Sequence, residues 1–268
     1  MDLAWFEPDQ KTWKERCQRE PAAQIIKAVI QNMLDGRGLS SLDVELQYSA
    51  GVTRIVLEDD ALGGVADVDK PWTLFVSGRE DDTSYRGRLG RCLKTFVALM
   101  DEVVIQTRGT TIRIDNRREE PRRVQEPNSK GRGTRIEAIG SSWEHRDVSR
   151  AQELIQAIQL PEHMELYLNG KLVENSQPAE GMSLKLATVI FDEEGREWPS
   201  VRDTDVLVRK ARDTGILYEM GVPVDDLKIG YDVDVQQRVP MDKRYRVKEP
   251  YTRNLTTQVL GGLIELRT

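Results

Sequence analysis

The chain has 268 residues, 38% hydrophobic and 31% charged, with a formal net charge of −6. That is long enough for two domains and apolar enough to bury cores, while two cysteines and two histidines exclude a disulfide framework and a zinc cluster. No run of eighteen apolar residues suggests a membrane span, the start MDLAWFEPDQ is unlike a secretory signal, and the acidic balance argues against nucleic acid as the main partner; a cytoplasmic protein is expected.

Residues 1–20 read as an irregular arm whose Trp5, Phe6 and Trp13 should pack on their own domain or on a partner subunit. From Pro21, Ile25, Ile26, Val29, Ile30, Met33 and Leu34 recur with helical spacing, and Gly36 and Gly38 should end the helix. Ala28, Asn32 and Asp35 form a second stripe at i, i+4 and i+7. Two strand-like runs follow, 44–48 and 53–57, turning at Ala50-Gly51; the second ends in Glu58-Asp59-Asp60-Ala61-Leu62-Gly63-Gly64. A loop-rich stretch reaches Arg91. A short helix is expected over 93–99, a hairpin over 102–107 and 110–115 around Gly109, and a strand over 133–139. Between the last two, Arg117, Arg118, Arg122, Arg123, Lys130 and Arg132 cluster with Pro121 and Pro127. That segment reads as a solvated loop, with a phosphate-contacting loop as the alternative.

The second half predicts a helix over 148–160, strands over 164–168 and 184–191 with a hairpin turn at Asn169-Gly170, further strands over 205–208, 215–220 and 231–236, and a closing helix over 250–260. The order implies two α/β layers, each with helices over a largely antiparallel sheet, parting near residue 140.

Four features in order resemble the nucleotide-binding motifs of the GHKL superfamily, named for gyrase, Hsp-type chaperones, histidine kinases and MutL. They are the Asn32-x-x-Asp35 helix, Asp59-Asp60-Ala61-Leu62-Gly63, Arg86-Gly87-Arg88-Leu89-Gly90-Arg91-Cys92-Leu93-Lys94 opening a helix, and Gly133-Thr134. The resemblance covers about residues 20–140. It implies an α/β (α+β) fold of the Bergerat type, a two-layer sandwich of helices on a mixed, largely antiparallel sheet, with ATP and Mg2+ as cofactors. It further implies that Asp59 accepts from the adenine amino group and that Asn32 holds magnesium. Gly87 and Gly90 would let backbone approach the phosphates, with Lys94 nearby and Thr134 reaching toward the base. Asp35 and Gly63 complete the pattern.

The departures matter equally. The helix motif of the family is Glu-x-x-x-Asn-x-x-Asp, and its glutamate orients the attacking water; here Ala28 stands in that place. A general base contributes about 10²–10⁴ in rate, so hydrolysis should be impaired, whether Ala28 is a natural loss or an engineered trap. Two glycines are also replaced, by Ala61 and Cys92.

The second half resembles the transducer domain of MutL, gyrase and their relatives. Its Tyr231–Val235 strand leads to Lys243, chosen as the contact to the γ-phosphate, with Arg238 as a rival. The domains expected are an arm (1–20), a nucleotide-binding domain (21–140) and a smaller transducer-like α/β domain (141–268). The leading expectation is an ATP-gated switch that closes a homodimer. The alternative is a degenerate scaffold binding protein, or nucleic acid through the Arg117–Arg132 segment, without turnover.

Overall fold

A computed structural model describes residues 10–63, 86, 92–117, 122–174, 179–191, 196–242 and 246–265. They divide into two compact units, the first built from described residues up to 63, 92–156 and 163–173, the second from 86, 157–162 and the rest after 174. The chain thus passes between the units more than once, where the sequence suggested one division near residue 140. Most of the helix and the first strand (164–168) assigned to the second half belong to the first unit.

The first unit is an eight-stranded sheet with helices packed on it. Residues 10–17 are not irregular as expected: α1 (Gln10–Cys17) is a helix, and its missing apolar stripe explains why the sequence hid it. α2 (Ala22–Leu34) starts at Pro21, which is extended and cannot donate an N–H. It buries Ile25, Ile26, Val29, Ile30, Met33 and Leu34, the stripe legible in the sequence.

β1 (Ser41–Ser49) and β2 (Val52–Asp59) form an antiparallel hairpin, with Leu42 opposite Asp59. α3 (Cys92–Leu99) packs against α1 and α2. β3 (Glu102–Thr107) and β4 (Thr110–Asp115) form the expected hairpin, and β6 (Thr134–Gly140) lies between β3 and β2.

β5 (Arg122–Pro127) corrects the loop reading: it is an edge strand paired antiparallel with β4. Charged, proline-bounded edges resist further pairing, and the same residues mimic a solvated loop in sequence.

α4 (His145–Gln156) packs against α2 and runs from three residues before the expected start to four before the expected end. β7 (Glu165–Leu168) pairs parallel with β1, and β8 (Lys171–Leu172) closes the sheet. Asn169-Gly170 does make the tight turn, with φ of 51° and 74°, but its returning strand is β8 rather than the later run.

The second unit is a five-stranded sheet ordered β12-β11-β13-β10-β9. β9 (Glu180–Phe191) and β10 (Glu197–Lys210) are longer than expected and pair over twelve register positions. β11 (Gly215–Glu219), β12 (Val222–Leu227), missed in the sequence, and β13 (Tyr231–Val235) complete it. α5 (Glu249–Glu265) buries Tyr251, Leu255, Val259 and Leu263, a stripe at four-residue spacing, against a core containing Leu186, Val206, Val233 and Val235. No helix among the described residues is long and apolar enough to cross a membrane.

This core sets a stability expectation. Leu255 is fully buried, so Leu255→Ala should cost about 2–5 kcal/mol by lost transfer and cavity terms, read as faster hydrogen exchange at the β13 amides. Leu260→Ala, on the exposed side of α5, should stay within about 0.5 kcal/mol.

Candidate functional site

The site is built where three segments of the first unit meet: the end of β2, the start of β6 and the turn after α2. Asp59 ends β2 at 6% exposure. Its Oδ1 accepts two backbone amides, from Ala61 at 3.0 Å and from Thr134 at 3.1 Å. Among the described residues no hydrogen bond reaches its Oδ2.

Gly133, which precedes β6, has φ of 70°, and a Cβ there would lie 2.0 Å from the Asp59 carbonyl oxygen. Only glycine fits both that backbone and that approach. Its N–H donates to the Ala61 carbonyl at 2.7 Å. Thr134 is buried, and its hydroxyl lies 3.2 Å from that of Thr107 on β3.

The α2 end is tied to the same place. The Leu62 amide donates to the Arg37 carbonyl at 2.9 Å, and a Cβ at Gly36 would lie 2.7 Å from that of Ala61. Ala61 does not have a positive φ, so alanine sits there without strain. A Cβ at Gly63 would meet no described atom within 4 Å.

The adjacent carboxylates are tuned apart. Burial pushes Asp59 above the usual aspartate range and outweighs the two amides. Burial also acts on Asp60, but the Ser40 hydroxyl and amide, the Ser41 amide and Arg132 hold it below that range. Arg132 Nη2 reaches Asp60 Oδ2 at 3.0 Å and its carbonyl at 2.6 Å. Asp60 is a structural clasp, and Asp59 keeps an acceptor to offer. Neither the clasp nor Thr107 was foreseen. The only signal for the clasp was Asp60's place beside Asp59.

Of the remaining expected residues, Ala28 and Asn32 lie half-buried on one side of α2, and Asp35 is buried at its C-cap. The neighbouring Lys27 and Gln31 are buried polar residues that the sequence did not single out. Lys94 is buried in α3. Gly87, Gly90 and Lys243 lie outside the described residues, as does the side chain of Cys92. Arg238 is 1% exposed, with its guanidinium carbon 5.0 Å from the Phe191 ring centre. Packed in this way, it is a core residue of the second unit.

Three of the six basic residues of the segment meet acids. Lys130 bonds Glu58 at 2.7 Å, Arg132 bonds Asp60, and Arg117 pairs with Asp115 and Glu102. A cleft of about 550 Å³ lies at the opposite end of α2, lined by Pro21, Ala22, Trp143 and Arg150 among others. Thirteen helical residues at about 1.5 Å each put it roughly 20 Å from the Asp59 end.

No sequence-family profile and no curated protein matches the chain, but solved structures do. The ATPase region of Saccharomyces cerevisiae topoisomerase II superposes with a TM-score of 0.54 at 10% identity, covering 84% of this chain and 76% of that one. The same region bound to ICRF-187 (dexrazoxane) gives 0.53 at 9%, covering 92% and 86%. The ATPase and transducer domains of DNA topoisomerase II from Balamuthia mandrillaris give 0.54 at 13%, covering 88% and 81%.

Asp59→Asn keeps an oxygen for both amides but puts a donor where Oδ2 offers an acceptor. A folded pKa above the unfolded value means that ionised Asp59 opposes folding at pH 7. The variant should therefore be at least as stable as the unaltered chain at pH 7. Its advantage should shrink as the pH falls through the folded pKa and vanish below the ordinary value of 3.8. Denaturant melts across pH 3–7 check the sign. The superpositions show that the chain has the fold of the topoisomerase II ATPase region.

Proposed function

We propose that the chain binds ATP with Mg2+ at this site and works as a nucleotide-gated switch with little turnover. The observation that carries the reading is the Asp59 carboxylate: buried, fixed through one oxygen by two amides, with the other oxygen left to accept from a ligand's amino group. An acceptor held in a fixed direction favours a ligand that brings a donor to it over one that does not. Asn32 would offer one neutral oxygen to Mg2+. Magnesium suits such a site because it keeps waters and takes most of its other ligands from phosphates. When bound, the ion neutralises phosphate charge. Gly87 and Gly90 would cradle the phosphates, Lys94 would lie beside them, and Lys243 would sense the γ-phosphate.

Ala28 separates binding from turnover. Its methyl group cannot take a proton from water, so ATP would be held rather than consumed. Ala28→Glu should raise ATP hydrolysis by about 10²–10⁴, measured as phosphate release, with nucleotide affinity changed by less than about tenfold. A variant that binds ATP but stays inactive would show that the site lacks more than its base.

Closure of a homodimer is the second part of the proposal. In sedimentation, Mg2+ and a non-hydrolysable ATP analogue should shift the chain from monomer to dimer. The Asp59→Asn variant should lose analogue binding by more than about tenfold in calorimetry and stay monomeric at the same nucleotide concentration. An unchanged mass with nucleotide demonstrably bound would remove the dimer from the reading.

The scaffold reading keeps one supporting observation, Ala28 itself. Calorimetry decides between the two, since a scaffold gives no heat with ATP at millimolar concentration. The ion pairs of Lys130, Arg132 and Arg117 place acids beside these three cations, which weakens their pull on a phosphate backbone.

A further inference from the structure

α2 ends at Leu34 with Asp35 as its C-cap, and the chain turns at once through Gly36, Arg37 and Gly38. Gly38 has a positive φ of 66°, but Gly36 does not. The glycine at 36 therefore answers to space rather than to backbone conformation. What occupies the space is Ala61, buried at 4% exposure. A Cβ at Gly36 would lie 2.7 Å from the Ala61 methyl carbon and 2.9 Å from the Met33 carbonyl oxygen. Apolar carbons rest about 3.5–4.0 Å apart, so methyl groups at both positions would force the two segments apart by about 1 Å.

Hydrogen bonds close the same seam. The Leu62 amide donates to the Arg37 carbonyl at 2.9 Å, and the Asp60 amide to the Ser41 carbonyl at 3.3 Å. Asp60 Oδ1 accepts the Ser40 and Ser41 amides at 2.8 and 3.0 Å. Ala61 also belongs to the Asp59 clamp: its amide donates to Asp59 Oδ1 at 3.0 Å, and its carbonyl accepts the Gly133 amide at 2.7 Å. One residue thus meets the end of α2 with its side chain and holds Asp59 with its backbone. Asn32 lies four residues before Gly36, about one helical turn, so a displacement at Gly36 is felt at Asn32.

We propose that Ala61 and Gly36 are a matched pair of positioning residues, setting the Asn32 end of α2 at the distance from Asp59 that one Mg2+-bound nucleotide spans. This rests on the nucleotide-binding reading above and deepens it: the alanine at 61 is a fitted part of the site, not a lesion in it. A misplacement of about 1 Å between two parts of a site costs up to about 10²-fold.

The test measures the affinity of a non-hydrolysable ATP analogue by calorimetry, with Mg2+ and with a chelator, in the unaltered chain, Gly36→Ala, Ala61→Gly and the double variant. The gain from Mg2+ reports the α2 end, because the contact at Asp59 is common to both conditions. In the unaltered chain that gain should be at least about tenfold. Gly36→Ala should cut it below about threefold, with affinity in chelator within about threefold of the unaltered chain. Ala61→Gly should lower the gain as well, whereas a lesion at 61 would be relieved by glycine and the gain would rise. The double variant again places one methyl group in the seam, so its gain should exceed that of Gly36→Ala. Should Gly36→Ala fail to fold, a folded double variant supports the pairing, and Ala61→Gly decides the sign. Binding with no gain from Mg2+ in the unaltered chain overturns this proposal alone, as does an unchanged gain in the single variants or a rise in Ala61→Gly. No binding by the unaltered chain overturns the nucleotide reading and this proposal with it.

Discussion

The first unit's site depends on one oxygen. Asp59 Oδ1 is shared by the amides of Ala61 and Thr134, which lie on either side of a β2–β6 junction so close that residue 133 has no room for a side chain. Hydrogen bonds to a charged group are worth about 1.5–3 kcal/mol each, whereas burying an ion costs several kcal/mol. Here the direction of the shift says which effect wins: despite both amides, the carboxyl is pushed up. Such a site is preorganised, because the loop, the strand end and the turn after α2 are already tied together by Leu62–Arg37, Gly133–Ala61 and the Asp60–Arg132 clasp. Little ordering would remain to oppose binding.

Regular periodicity made most of the fold legible. The α2 stripe, the β3–β4 hairpin around Gly109 and the Asn169-Gly170 turn were each set by local chemistry that reads the same in isolation and in place. The failures share a cause. β5 presents arginines, a glutamine and a glutamate, and becomes a strand only because β4 offers it a ladder. α1 has no stripe of its own, although its last residue, Cys17, is buried. The parting of the two units could not be read from the rhythm of elements, because β7 returns to pair with β1 across more than a hundred residues, a contact no local pattern announces.

The site was legible to the extent that residue identity alone fixes role. Asp59 and Thr134 were singled out through the resemblance to the GHKL motifs, and they are hydrogen-bonded to each other. Ala61 looked like a departure, yet its backbone is one that alanine adopts freely, and its methyl group fills the space that Gly36 leaves. Arg238 shows the reverse case. A cation after a strand reads as an exposed phosphate ligand, and only packing reveals that Phe191 and the second core enclose it. Burial of a long cationic side chain is decided by its neighbours in space, which sequence order does not supply.

On the proposed reading, binding and turnover are carried by different elements, and that would make a bound but idle nucleotide physically coherent. Asp59 and Thr134 belong to the sheet, whereas Ala28 belongs to α2. Loss of a base on the helix raises only a barrier and leaves the acceptor on the sheet untouched. On the proposed reading, ATP at a hundred times its dissociation constant would stabilise the binding state by about 2.7 kcal/mol without any hydrolysis. A complete reversal of a 1:99 equilibrium needs about 5.5 kcal/mol. Nucleotide alone would then move the switch part of the way, and the remainder must come from contacts made only in the closed state. Without a base to end the bound state chemically, release would be set by dissociation, so affinity at Asp59 would govern both how far the switch moves and how long it stays there.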